Sequence, residues 1–229
     1  MGATEQKRQA GQHAALQVES GMTVGLGTGS TAAFVVEALG RRVREEGLRM
    51  VGVCTSTATE RLAAEHGVPT AALSRDRRID LYIDGADEVT SDGVMIKGGG
   101  GALLREKMVA DWARRHLIVV DESKLVERLG VAFRLPVEII RFGHETVVAK
   151  LAGLGCETRV RAGADGTPFL TDEGHHIVDC RFPQGIANPL AMQARLRTVV
   201  GLVETGLFIG YCNALVIGHD HGAELRLIS

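Results

Sequence analysis

Two spacings of apolar residues divide the chain into helices and strands. Ala10, Ala14 and Val18 recur at helical intervals over residues 5–19. Residues 22–26 form a short apolar run that predicts a buried strand, and it ends in Gly27-Thr28-Gly29-Ser30-Thr31. A second helix starts at that loop, with an apolar stripe of Val35, Val36 and Leu39 and a solvated end over 41–46. Strand-like runs follow at 50–53, 81–83 and 117–120, separated by helical segments at 57–66 and 103–115. The alternation predicts an α/β fold: a mostly parallel, Rossmann-like sheet with helices on both faces, taking ligands at the carboxyl ends of its strands.

After residue 130 the order changes. Strand-like 135–142, helical 145–154, strand-like 157–161 and 176–182, helical 189–199 and strand-like 202–208 spell β-α-β-β-α-β. That is the ferredoxin-like order, and it predicts a smaller α+β domain. The runs 214–217 and 224–228 are too short to fold alone and are expected to rejoin the first sheet. The predicted organisation is a Rossmann-like catalytic domain over 1–130 and 207–229 and a ferredoxin-like domain over 131–206.

Composition narrows the function classes. With 229 residues, 45% of them hydrophobic and 24% charged, disorder is excluded. A net charge of −2 argues against nucleic acid or a membrane surface as partner. No stretch approaches the roughly 18–20 apolar residues of a membrane span, and residues 1–17 are too polar for a signal peptide. The expectation is a cytoplasmic protein. Cys54, Cys156, Cys180 and Cys212 show no C-x-x-C pairing and read as reduced thiols. His175-His176 and His219-x-His221 lack carboxylate or cysteine companions, so no metal site is expected.

The 29 glycines cluster in places that carry chemistry. Gly25 to Thr31 joins a strand to a helix start, which suits a small phosphate or serves as an ordinary capped turn. It lacks the third glycine and the later acidic residue of a dinucleotide fingerprint, and the lysine of a Walker A loop. Asp84-Gly85-Ala86-Asp87-Glu88 brings carboxylates to a strand end, either as a coupled pair fit for proton handling or as turn caps. Lys97-Gly98-Gly99-Gly100-Gly101 runs into a helix, and four glycines there need a reason. Leu104, Met108 and Trp112 recur at i, i+4 and i+8 and are expected to face the core. That leaves Glu106 about 200° away, on a solvated face or along the rim of a cleft.

In this order and spacing, Gly27-Thr28-Gly29-Ser30-Thr31, Asp84-Gly85-Ala86-Asp87-Glu88, Lys97-Gly98-Gly99-Gly100 and Leu104-Arg105-Glu106-Lys107 resemble ribose-5-phosphate isomerase of type A. The resemblance extends to Asp121-Glu122-Ser123-Lys124, Leu135-Pro136-Val137-Glu138 and Gly206-Leu207-Phe208, and so covers nearly the whole chain. Phe208 to Asn213 and Gly218 to Gly222 depart from the family pattern, outside the loops that carry the chemistry.

The resemblance implies interconversion of ribose 5-phosphate and ribulose 5-phosphate in the non-oxidative pentose phosphate pathway, with no cofactor and no metal. It makes Glu106 the acid/base between C2 and C1, and has the Asp84-Gly85-Ala86-Asp87 and Lys97-Gly98-Gly99-Gly100 loops hold the sugar. Thr28, Gly29, Ser30, Thr31 and Lys124 contact substrate by the same implication. Chemistry adds that Lys97 suits an enediolate oxyanion and that Asp84 or Asp87 suits ring opening. A family lysine in the first helix reaches phosphate, and Lys7 and Arg8 both stand in range. Partners are expected to be a sugar phosphate and further copies of the chain, as a homodimer or a higher homo-oligomer. A nucleotide or methyl-donor binder and a non-catalytic sugar-phosphate sensor are the competing readings.

Overall fold

The structure, a computed structural model, describes residues 2–228. The chain opens with α1 (Ala3–Ala15), β1 (Thr23–Leu26), α2 (Ser30–Glu46), β2 (Val51–Cys54), α3 (Thr57–Glu65) and β3 (Leu81–Asp84). It continues through β4 (Glu88–Val89), β5 (Met95–Ile96), α4 (Leu103–Asp111) and β6 (His116–Asp121) to the 3-10 turn Glu122–Lys124. Then come β7 (Leu135–Ile139), α5 (His144–Ala152), β8 (Glu157–Val160), β9 (His176–Arg181), α6 (Pro189–Arg197) and β10 (Leu202–Thr205). The last elements are β11 (Leu207–Phe208), β12 (Ala214–His219) and β13 (Gly222–Leu227).

Two compact units result. One comprises the chain up to Ala86, Arg105–Leu125 and the described residues from Gly210 onward; the other comprises Asp87–Leu104 and Val126–Ile209.

The first unit is built on a six-stranded sheet in the order β13-β12-β6-β3-β1-β2, parallel except for β13. Successive strand residues face opposite sides. Val24, Leu26, Leu81, Ile83, Leu117 and Val119 therefore share one face, buried in a core with Ala10 and Ala14 of α1 and Val35, Val36 and Leu39 of α2. On the other face Gly25 lies against Tyr82 and against Val109 of α4. The short terminal strands β12 and β13 do rejoin this sheet.

The second unit contains an antiparallel sheet in the order β10-β7-β9-β8, which with α5 and α6 is the ferredoxin-like arrangement. Its core gathers Leu135, Val137, Ile139, Val147, Leu151, Val178 and Leu196. Residues 202–208 are not one strand, as the apolar run suggested. The run breaks at Gly206 into β10 and β11, and β11 joins β5 and β4 in a separate three-stranded sheet. At the break Gly206 donates to Pro136 O (2.7 Å) and accepts from Lys97 N (2.9 Å). A Cβ there would stand 2.3 Å from Lys97 O, so only glycine lets the two chains come this close.

All four cysteines are free thiols. Among the described residues no helix is long and apolar enough to cross a membrane.

Candidate active site

The first glycine loop leaves the carboxyl end of β1 next to that of β3, where the sheet's strand order reverses. Doubly wound sheets bind ligands at this point. Gly27 donates to Ile83 O (2.9 Å), and a Cβ on it would lie 2.0 Å from Asp84 Cγ. Asp84, fully buried, fits beneath the loop: its Oδ1 accepts from Thr28 N (3.1 Å) and Gly85 N (2.7 Å). The Tyr82 hydroxyl donates to Asp84 Oδ2. Burial, then the charges of Asp84 and Glu106, push the Tyr82 phenol well above its ordinary pKa, so it stays a neutral donor. Thr28 Oγ1 is held among the hydroxyls of Thr55 (2.8 Å), Ser56 (2.8 Å) and Thr59 (3.2 Å), and Gly85 backs onto Thr31.

Gly29 and Ser30 are exposed at the N-terminus of α2. Free helical N–H groups and the positive end of the helix dipole suit phosphate there. Lys7 of α1 donates from Nζ to Ser30 Oγ (3.2 Å) and lies 4.0 Å from Asp121 Oδ2. Arg8 turns aside to Glu5 (3.4 Å) and Glu37 (3.9 Å), with its guanidinium over the Phe34 ring. Of the two candidate cations, Lys7 is the one at the first glycine loop. Lys124 ends the turn after β6, which Asp121 caps by accepting from Ser123 N (3.1 Å).

The expected face of α4 is corrected. Met108 is 52% exposed, while Leu103, Glu106, Lys107 and Ala110 are buried and Leu104 and Trp112 are only half-buried. Residues at these spacings share one side of a helix. Apolar periodicity picked the wrong side because the buried side carries two charged residues. Glu106 is 2% exposed. The helix also stops at Asp111 rather than reaching 115, since Arg114 N already donates to Ile79 O (2.9 Å) on the way into β6.

In the second unit Lys97 follows β5 and is buried, its Nζ 5.4 Å from the centroid of the Phe208 ring. In the tetraglycine loop Gly99 N donates to Asp87 Oδ2 (2.7 Å). The carbonyls of Gly98 and Gly99 both accept from Arg161 Nη1, at 2.9 and 3.2 Å. Glu88, the last carboxylate of the acidic run, is structural: it accepts from Gly130 N (2.6 Å), Ala132 N (3.1 Å) and Phe133 N (2.7 Å). Asp84 is fully buried and Asp87 half-buried.

The residues expected to act fall into two clusters. Thr28, Gly29, Ser30, Thr31, Asp84, Gly85, Ala86, Glu106 and Lys124 belong to the first unit, and Asp87, Lys97, Gly98, Gly99 and Gly100 to the second. Sequence reasoning missed Tyr82 and Arg161. Tyr82 had a signal, since it stands two positions before Asp84 on one strand and so shares its face. Among the described residues no three His, Cys, Asp or Glu side chains gather as a metal-ligand group. His175 is instead 2.9 Å from Glu138 Oε1, and His219 is 3.2 Å from Glu122 Oε2.

A family model described as ribose 5-phosphate isomerase A (phosphoriboisomerase A) matches residues 51–222. The chain is 49% identical over 223 residues to ribose-5-phosphate isomerase A of Synechococcus sp., covering 97% of this chain and 96% of that one. It is 48% identical over 218 residues to the Bacillus mycoides protein of the same name, with coverage of 95% and 97%. Its fold is similar to that of a D-ribose-5-phosphate isomerase solved in complex with phospho-erythronic acid, with TM-score 0.95, 34% identity and coverage of 99% and 100%.

Proposed function

The chain belongs to the ribose 5-phosphate isomerase A family, and on that premise we infer how it interconverts D-ribose 5-phosphate and D-ribulose 5-phosphate: one carboxylate carries a proton between C2 and C1 through an enediolate. The observation that carries this reading is Glu106, a carboxylate buried on the inner side of α4 and electrostatically close to Tyr82.

The open-chain aldose has an acidic C2–H beside the C1 carbonyl. Glu106 takes that proton, and the negative charge moves to the former carbonyl oxygen, where the Lys97 ammonium stabilises it. The C2 hydroxyl proton passes to O1, and Glu106 returns its proton to C1, leaving the ketose. No electron acceptor is involved, because the redox change is internal to the sugar.

Ribose 5-phosphate is a furanose before it reacts, so the anomeric hydroxyl must lose a proton and the ring oxygen gain one. We assign this assistance to Asp87, which is half-buried with one oxygen on Gly99 N. Asp84, engaged by Thr28, Gly85 and Tyr82, holds the loop. The phosphate is anchored by the α2 N-terminus, Ser30, Thr31 and Lys7, with Lys124 as a further sugar contact. A charged pentose phosphate supports a cytoplasmic site of action. Exposed Ile140, Phe142 and Val200 support a homodimer or a higher homo-oligomer.

With ribose 5-phosphate in deuterated water, NMR is expected to show solvent deuterium entering the pentose at the carbons between which the proton moves. Isomerisation that leaves the pentose without any label even after many turnovers at equilibrium would sink the proton-transfer reading in favour of a hydride shift. EDTA is expected to leave the rate unchanged, since proton transfer between adjacent carbons needs no Lewis acid; a loss restored by a divalent ion would contradict this. Lys7→Ala is expected to raise KM about tenfold through loss of a charge-assisted phosphate contact, with a smaller change in kcat. Arg8→Ala should stay near wild type, and the reverse pattern would transfer the anchor to Arg8.

A further inference from the structure

We propose that Arg161 is a positioning residue for this reaction, acting through the backbone of the tetraglycine loop; the proposal deepens the isomerase reading and rests on it. Arg161 lies just beyond β8, in the second unit. Its guanidinium is fixed on one side by Asp179 of β9, with Nε 3.1 Å from Oδ2 and Nη2 2.5 Å from Oδ1. Both side chains of this two-pronged pair are largely buried, at 16% and 17% exposure. The Phe169 ring lies 6.0 Å from the guanidinium carbon.

With the fork oriented, Nη1 still has two hydrogens, and it gives them to two consecutive carbonyls, Gly98 O (2.9 Å) and Gly99 O (3.2 Å). The peptide bonds are trans. In a planar trans peptide the N–H points opposite to the C=O. Drawing the Gly98 and Gly99 carbonyls to Arg161 therefore turns the N–H groups of Gly99 and Gly100 the other way. The first of these lands on Asp87 Oδ2 at 2.7 Å. The second is directed by the same constraint, as a backbone donor for the sugar oxygens.

Glycine tolerates several orientations of these peptides, so the chain alone does not select one. A turn bond from Gly101 N to Gly98 O (3.0 Å) and Asp87 on Gly99 N help, and Arg161 is the side chain that holds both carbonyls. Arg161 thus orders a loop that ligands require but that has no side chains of its own to hold it, and it aims Asp87 without touching the sugar.

The test is steady-state kinetics on ribose 5-phosphate with purified Arg161→Ala, Arg161→Lys and Asp179→Asn, each checked for thermal unfolding. Misaimed donors matter most where charge develops, so kcat is expected to fall about tenfold or more in Arg161→Ala while KM changes less than about threefold. Added guanidinium ion at low millimolar concentration should restore part of the lost kcat in Arg161→Ala and leave the wild type unchanged, which a purely structural contribution would not do. Arg161→Lys and Asp179→Asn should show intermediate losses, and they carry the test if Arg161→Ala does not fold. Folded variants with wild-type kcat, or a loss that guanidinium leaves untouched, overturn the proposal. An inactive wild-type chain would instead refute the isomerase reading itself.

Discussion

Glu106→Gln is expected to lower kcat by two decades or more, with KM and the unfolding temperature close to wild type. The amide matches the carboxylate in size, so the buried side of α4 keeps its packing. What is lost is the ability to accept a proton from carbon. General acid–base catalysis contributes about 10²- to 10⁴-fold, and a group that both removes a proton from carbon and delivers one serves both half-reactions. The amide also keeps an oxygen that can accept hydrogen bonds where the carboxylate did, so the fold is expected to hold. Stopped-flow or coupled kinetics reads kcat, and calorimetry reads the melt. A variant turning over within about threefold of wild type would remove Glu106 from the proton path, because the loss of a sole base far exceeds that.

Gly27→Ala is expected to lower kcat/KM about 100-fold and to destabilise the protein as well. The added methyl would sit 2.0 Å from Asp84 Cγ and Oδ1 and 2.5 Å from its Cβ. Asp84 cannot swing clear, since Oδ1 holds the N–H groups of Thr28 and Gly85 and Oδ2 holds the Tyr82 hydroxyl. Overpacking of this kind costs about 1–3 kcal/mol, and displacing a substrate-holding loop by about 1 Å can cost 10²-fold in rate. Thermal unfolding and substrate titration together check both effects. Wild-type values in both would show that Asp84 has room to move and that the close approach at Gly27 is not required.

Much of this site was legible in the sequence because its parts obey local rules. Gly27 to Thr31 and Asp84 to Asp87 follow apolar runs that end as strands, and ligand loops in parallel sheets occupy that position. The β-α-β-β-α-β order of the second unit was legible for the same reason, from runs long enough to show a period. The strands β4, β5 and β11 have two residues each and leave no period to detect. The side of α4 was misread for a different reason: Glu106 and Lys107 are buried against the pattern set by Leu104, Met108 and Trp112. Sites of function often break hydrophobic patterning, and Glu106 is the residue proposed to act here. Arg161 lies 63 positions from Gly98 and 18 from Asp179. Only the register of β8 against β9, which pairs Arg159 with Asp179, brings it into reach.

The strand break at Gly206 has a bearing on redesign. Lys97 is gripped through its main chain, whose N–H and carbonyl both lie against Gly206, so its Cα has little freedom whatever side chain it carries. Mutant libraries aimed at other sugars should therefore keep Lys97, to which the proposed mechanism gives the enediolate oxygen, and vary its neighbours with this backbone as a fixed frame. Position 206 is best excluded from them, because any substitution there shifts the anchor point and confounds each variant's altered selectivity with a displaced attachment.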